Sequence, residues 1–200
     1  MKIGILLGCF NPIHNAHLRY LELLKQKILD KIIFVPAYTN LNYKDKTIIS
    51  WESRVEMLTL ALEGIKDVEI STIEIDQHRQ LYTYETLELF RKDNRNQYYL
   101  VIGSDNLASF DTWKNYETIL TNHNIVVVTR DNANNEELIN QNPNLKKYQH
   151  KFISFTCTNI SDISSTTIRN LIEKSEDITK YVPKKVNEYI KTNNLYRNEE

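Results

Sequence analysis

Apolar positions along this chain fall into six short runs, at 2–7, 31–36, 68–75, 98–102, 124–129 and 152–156. Each is bounded by polar or turn residues and is too short for a buried helix, so each reads as a strand. Between them the period changes. Leu18, Leu21, Leu24 and Ile28, and later Trp51, Val55, Leu58 and Leu62, recur at helical spacing. Strand and helix alternate, which predicts an α/β fold: a doubly wound, Rossmann-like parallel sheet with helices on both faces. The apolar runs are evenly spread, so residues 1–200 are expected to form one domain, with a small C-terminal helical part over about 164–196. The polar and aromatic stretch 37–50 has no period and reads as a mobile loop over the site. The asparagine-rich stretch 131–144 reads as surface with weak helical order.

Composition narrows the class. Of 200 residues 41% are hydrophobic, enough for a well-buried core, and the formal net charge is −1. Without a bulk positive field a nucleic-acid partner is not expected, and any anion site must be local. The candidate groups are His14, His17, Lys44 and Arg169. The chain contains two cysteines, Cys9 and Cys157, no CxxC pair, no signal-peptide pattern and no apolar run near the ~20 residues of a membrane span. A cytoplasmic protein without a membrane partner is expected. Whether it is a monomer or a homo-oligomer is left open.

The first run ends in Gly8-Cys9-Phe10-Asn11-Pro12-Ile13-His14-Asn15-Ala16-His17, a strand, a tight turn and a helix start. The N-terminus of that helix offers an anion backbone N–H groups and the positive end of a dipole. His14 and His17, three apart, share one helix face and can address the same anion. A cap or surface role for either histidine is the plain alternative. Zinc is disfavoured, because a metalloprotease helix needs His-Glu-x-x-His, and no metal ligands are assigned. A second motif is Ile163-Ser164-Ser165-Thr166-Thr167-Ile168-Arg169. Ser164 or Ser165 can cap a helix whose first turn has no acid, and Arg169 adds a guanidinium one turn in, an arrangement suited to polyphosphate. An ordinary cap with a solvated arginine is the alternative.

Together the two motifs resemble the nucleotidyltransferase superfamily with paired-histidine and ISSTxIR signatures. Within it the chain is similar to the nicotinate-nucleotide adenylyltransferases of NAD biosynthesis. The likeness extends through Tyr82-Thr83, Ile102-Gly103-Ser104-Asp105, the segment from Phe110 to Glu117 around Trp113, and an ending from Val182-Pro183 to Asn194-Leu195-Tyr196. The chain departs from the family at Leu7 and Ala16, each in place of a glycine, and at Leu41-Asn42-Tyr43-Lys44, where only the lysine of the usual loop remains.

What the resemblance implies is specific. ATP and nicotinate mononucleotide are the substrates, and the mononucleotide's phosphate attacks the α-phosphorus of ATP in line, releasing pyrophosphate. His14, His17, Lys44 and Arg169 are the implied catalytic residues. Gly8, Cys9, Phe10, His14, His17, Gly103, Asp105, Ile163, Ser164, Ser165, Thr166 and Arg169 would bind ATP. Thr83, Asp105 and Trp113 would bind the acceptor, Trp113 as a stacking face unless it is a core aromatic, and Asp105 at ribose unless it caps a helix. Mg²⁺ is the implied cofactor, carried mainly by ATP oxygens and water. Two other readings stand beside this one: adenylyl or cytidylyl transfer to another acceptor, such as nicotinamide mononucleotide, phosphopantetheine or an alcohol phosphate, and a non-catalytic nucleotide-binding regulator.

Overall fold

Six strands pair in parallel in the computed structural model, which describes residues 1–38, 48–93, 95–129, 133–156 and 163–197. They are β1 (Lys2–Gly8), β2 (Lys31–Pro36), β3 (Val68–Ile70), β4 (Gln97–Gly103), β5 (Asn124–Thr129) and β6 (Phe152–Thr156). The order across the sheet is β3-β2-β1-β4-β5-β6, so winding reverses between β1 and β4. A doubly wound sheet opens a crevice at that reversal, beyond the carboxyl ends of the strands, and ligands bind there. Here those ends are Gly8 and Gly103.

Period-two alternation divides the strand residues between two cores. Ile32, Phe34, Tyr99, Val101, Val126 and Val128 face one cluster, together with Leu21 and Leu24 of α1 (Asn15–Lys27) and Met57 and Leu58 of α2 (Trp51–Leu62). Ile33, Val35, Leu100, Ile102, Ile125 and Val127 face the other. That second cluster is covered by Leu87 of α3 (Thr83–Arg91), Leu107 of α4 (Ser104–Leu107), and Ile119 and Leu120 of α5 (Tyr116–Asn122). Each fully buried aliphatic side chain contributes roughly 1.5–3 kcal/mol, and this burial on both faces explains the near-continuous apolar runs of the strands.

Two expectations need correction. The strand expected over 68–75 stops at Ile70. After the Ser71 N–H bonds the Phe34 carbonyl at 2.8 Å the chain leaves the sheet, and it buries Glu74 and Ile75 at a short 3-10 turn (Ile75–Gln77). The 131–144 stretch is more ordered than its composition suggests. It forms α6 (Asn135–Gln141), and α7 (Pro143–Lys146) follows, with Ile139 and Leu145 buried in the second core. The C-terminal part forms α8 (Ser165–Glu173) and α9 (Lys184–Thr192), which cover the first core with Ile168, Ile172, Val186 and Ile190. Among the described residues no helix is long and apolar enough to cross a membrane. Most of the 37–50 stretch, including Lys44, lies outside the described residues, as does Cys157.

Candidate active site

A cavity of about 390 Å³ lies at the β1/β4 reversal. Its lining includes Leu7, Gly8, Cys9 and Phe10 from the end of β1, His17 from α1, Gly103 and Asp105 from the end of β4, and Trp113, Ser165 and Arg169. Residues far apart in sequence meet here because the parallel sheet brings the ends of β1 and β4 side by side.

The turn after β1 is tightly determined. Phe10 adopts φ 50°, in the left-handed region, and its ring folds back over Gly8. A Cβ at Gly8 would lie 3.1 Å from Phe10 Cζ, closer than an ordinary contact, so a larger residue there would press on the ring. The same ring meets His17 edge-on at 5.4 Å, which fixes the imidazole on one side. On the other side lies His14, with ring centroids 3.8 Å apart. His14 is the N-cap of α1 and only 2% exposed. Its backbone N–H donates to His17 Nδ1 at 3.3 Å, and its carbonyl accepts from the His17 N–H at 3.0 Å. An imidazole that accepts at Nδ1 carries its proton on Nε2, so neutral His17 is a hydrogen-bond donor through Nε2. His14 is packed beneath His17 and is not among the described residues that line the cavity. At the cavity its ring backs the His17 ring.

The helix start is less open than its sequence suggests. The Asn15 N–H is taken by the Tyr181 carbonyl at 2.8 Å, and the His17 N–H by His14. With no acid in the first turn, the dipole of α1 remains uncompensated. What α1 turns toward the cavity is that dipole and the His17 ring.

Bonds between α8 and the β1 turn join the two motifs. Ser164 is the N-cap, and its Oγ accepts from the Thr167 N–H at 3.0 Å. Ser165 Oγ donates to the Pro12 carbonyl at 2.9 Å, and Arg169 Nη1 donates to the Asn11 carbonyl at 2.9 Å. Thr166 Oγ1 lies 3.4 Å from Arg169 Nη2. Arg169 is 7% exposed, not solvated, and it lines the cavity with Ser165. Ile163, Ser164 and Thr166 are not on that lining: Ile163 is buried in the first core and Ser164 is committed to its cap.

On the β4 side the N-cap of α4 is Gly103, which leaves Asp105 in the first turn, exposed at the cavity and not capping. Trp113 is half-buried, packed on Phe110 with ring centroids 4.9 Å apart against the second core, and it also lines the cavity. Thr83 opens α3 but is not among the residues on the lining.

The family model for cytidylyltransferase-like proteins matches residues 5–171. A protein of Clostridium botulinum (strain Alaska E43 / Type E3) named "Probable nicotinate-nucleotide adenylyltransferase" is 37% identical over 199 residues, covering 99% of both chains. The chain belongs to the nicotinate-nucleotide adenylyltransferase family. A Clostridium novyi (strain NT) member of the same name is 34% identical over 198 residues, covering 98% of this chain and 99% of that one. The fold is also that of the Plasmodium falciparum nicotinic acid mononucleotide adenylyltransferase solved with NaAD: TM-score 0.82 at 22% identity, covering 98% of this chain and 97% of that chain.

For this adenylyltransferase-family chain, sequence reasoning missed three residues that shape the cavity: Asn11 on its lining, and Tyr196 and Arg54 behind it. Asn11 is buried and accepts twice, from Arg169 at its carbonyl and from the Tyr196 hydroxyl at Oδ1, 2.8 Å away. Burial pushes the Tyr196 phenol pKa up, so it stays a neutral donor. Arg54 is fully buried on α2, although it sits on the apolar stripe between Trp51 and Leu58, where a charge is itself the sequence signal. Tyr196→Phe leaves Asn11 Oδ1 without this donor. We expect a loss of about 1–2 kcal/mol in unfolding free energy by urea titration; an unchanged midpoint would show that the C-terminal segment does not brace the turn.

Proposed function

We propose that this chain transfers the adenylyl group of ATP to nicotinate mononucleotide, producing deamido-NAD and pyrophosphate in NAD biosynthesis. The observation that carries this reading is the junction of the two motifs: Ser165 and Arg169 of α8 bonded to Pro12 and Asn11 of the β1 turn, at the strand reversal, with His17 on the same cavity. Relatives over the full length carry the name of that activity. The reaction needs no enzyme nucleophile, because the acceptor phosphate supplies one, so catalysis is positioning plus charge stabilisation.

His17 Nε2–H donates to the phosphate oxygens around the reacting phosphorus, with His14 holding the ring from behind. Arg169 and the hydroxyl-rich start of α8, whose first turn has no acid, bind the β- and γ-phosphates. Lys44 is assigned to the same anions by resemblance alone. Gly103 and Asp105 meet the nucleotide at the end of β4, and Trp113 stacks on the pyridine ring. Thr83 is assigned to the acceptor's carboxylate side. Mg²⁺ is assigned to this site as an ion carried on ATP's own oxygens and water. It would offset phosphate charge there. The cytoplasm is the compartment assigned, since a reducing milieu keeps Cys9 and Cys157 as thiols.

The test is pyrophosphate release from ATP across a panel of acceptor phosphates. Nicotinate mononucleotide should exceed its amide by about tenfold or more in kcat/KM. A carboxylate gains charge-assisted bonds where the amide NH₂ presents a donor to donors, a mismatch worth about 1–3 kcal/mol per contact. Equal use of the two, or a preference for phosphopantetheine or an alcohol phosphate, would make the chain a sibling transferase. No release with any acceptor would make it a regulator.

A further inference from the structure

Arg54 has no accessible surface, and every hydrogen bond described for its guanidinium ends on a backbone carbonyl. Nε donates to Ile49 at 3.3 Å, Nη1 to Cys9 at 2.9 Å, and Nη2 to Ala37 at 2.7 Å and Tyr38 at 3.2 Å. Those carbonyls belong to three separate strips of chain: the turn after β1, the exit from β2 and the lead into α2. Two of the strips line the cavity, through Gly8, Cys9 and Phe10 on one side and Ile48 on the other.

The opposite charge is near. Glu74 is buried, accepting from Thr86 Oγ1 at 2.5 Å and from the Tyr38 backbone N–H. The Tyr38 residue is thus held at its N–H by Glu74 and at its carbonyl by Arg54. Burial lowers the pKa of Arg54 and raises that of Glu74, and the attraction between the two opposes both shifts. Glu74 also reaches α3 through Thr86.

We propose that Arg54, steadied by Glu74, is a positioning residue for adenylyl transfer: its planar fork holds the Cys9 turn and the Ile49 strip in one register. The spacing of the ATP side of the cavity is thereby set. This rests on the site assigned above. Core polar groups can serve folding alone, but a planar fork joined to two walls of a phosphate site constrains where the reacting atoms sit, and misplacement by about 1 Å can cost on the order of 10²-fold in rate. Lysine keeps the charge yet concentrates three donors at one atom, so it cannot serve carbonyls arrayed around a fork.

The experiment uses the full-length chain as Arg54→Lys and Glu74→Gln, with His17→Ala as reference. Pyrophosphate release is measured with ATP and with nicotinate mononucleotide varied in turn, normalised to folded protein by urea titration. Arg54→Lys should lower kcat about tenfold or more and raise the ATP KM about fivefold or more, leaving the mononucleotide KM within about threefold. Glu74→Gln should move the same constants in the same direction by about threefold, and it carries the test if Arg54→Lys does not fold. Unchanged kcat and ATP KM per folded molecule in the folded variants, or a rise in the mononucleotide KM alone, would overturn the proposal. If His17→Ala keeps full turnover, it is the site assignment that fails; if His17→Ala is impaired and Arg54→Lys is normal, only the role of Arg54 falls.

Discussion

His17→Ala lowers turnover by about 10²-fold or more while changing the unfolding free energy by about 1 kcal/mol or less. A preorganised donor aimed at developing charge is worth on the order of 10² to 10³ in rate, because it needs no reorganisation when the charge appears. His17 has that preorganisation: Phe10 on its edge, His14 against its face, and Nδ1 held by the His14 N–H, which directs the proton to Nε2. Its stability role is small, since the ring is half-buried and the hydrogen bond described at Nδ1 is long, 3.3 Å. Steady-state kinetics beside urea titration decide the matter. Turnover close to that of the parent would remove His17 from the chemistry.

Arg169→Ala weakens apparent ATP affinity by about tenfold or more and leaves the mononucleotide little affected. A charge-assisted contact to polyphosphate is typically worth about 1.5–3 kcal/mol, and tenfold corresponds to about 1.4. The structure adds a cost that a solvated arginine would not carry. Nη1 serves the Asn11 carbonyl from a buried position, so the same substitution also destabilises the chain by about 1–3 kcal/mol. Arg169→Lys separates the two effects, retaining charge for ATP while losing the fork that reaches Asn11 and Thr166 together. A change in mononucleotide affinity alone would place Arg169 on the wrong substrate.

Much of the architecture was legible along the chain because it depends on short-range repetition. Alternate residues of β2, β4 and β5 divide between two cores, and the helical stripes at Leu21 and Leu24 and at Leu58 and Leu62 face one of them. Such periods follow from backbone geometry within a few residues, so they survive without knowledge of the partners. Gly8 and the His14/His17 spacing were readable for the same reason. So was the serine cap at the start of α8, where Ser164 rather than Ser165 holds the Thr167 N–H.

What those groups are bonded to was decided only by the fold. Ser165 and Arg169 meet Pro12 and Asn11 across more than 150 residues, and Tyr196 reaches Asn11 from near the other end of the chain. His14 turned inward beneath His17, and Thr83 is absent from the described cavity lining although it opens a helix as expected. Arg54 occupies a stripe position that periodicity assigns to an apolar residue; its carbonyl partners come from three strips of chain that only the packed sheet places together. The period of a sequence says which face a residue occupies. Long-range packing decides whether a polar group on that face bonds the backbone or meets a ligand, because a buried donor or acceptor must be satisfied by whatever the fold brings within about 3 Å.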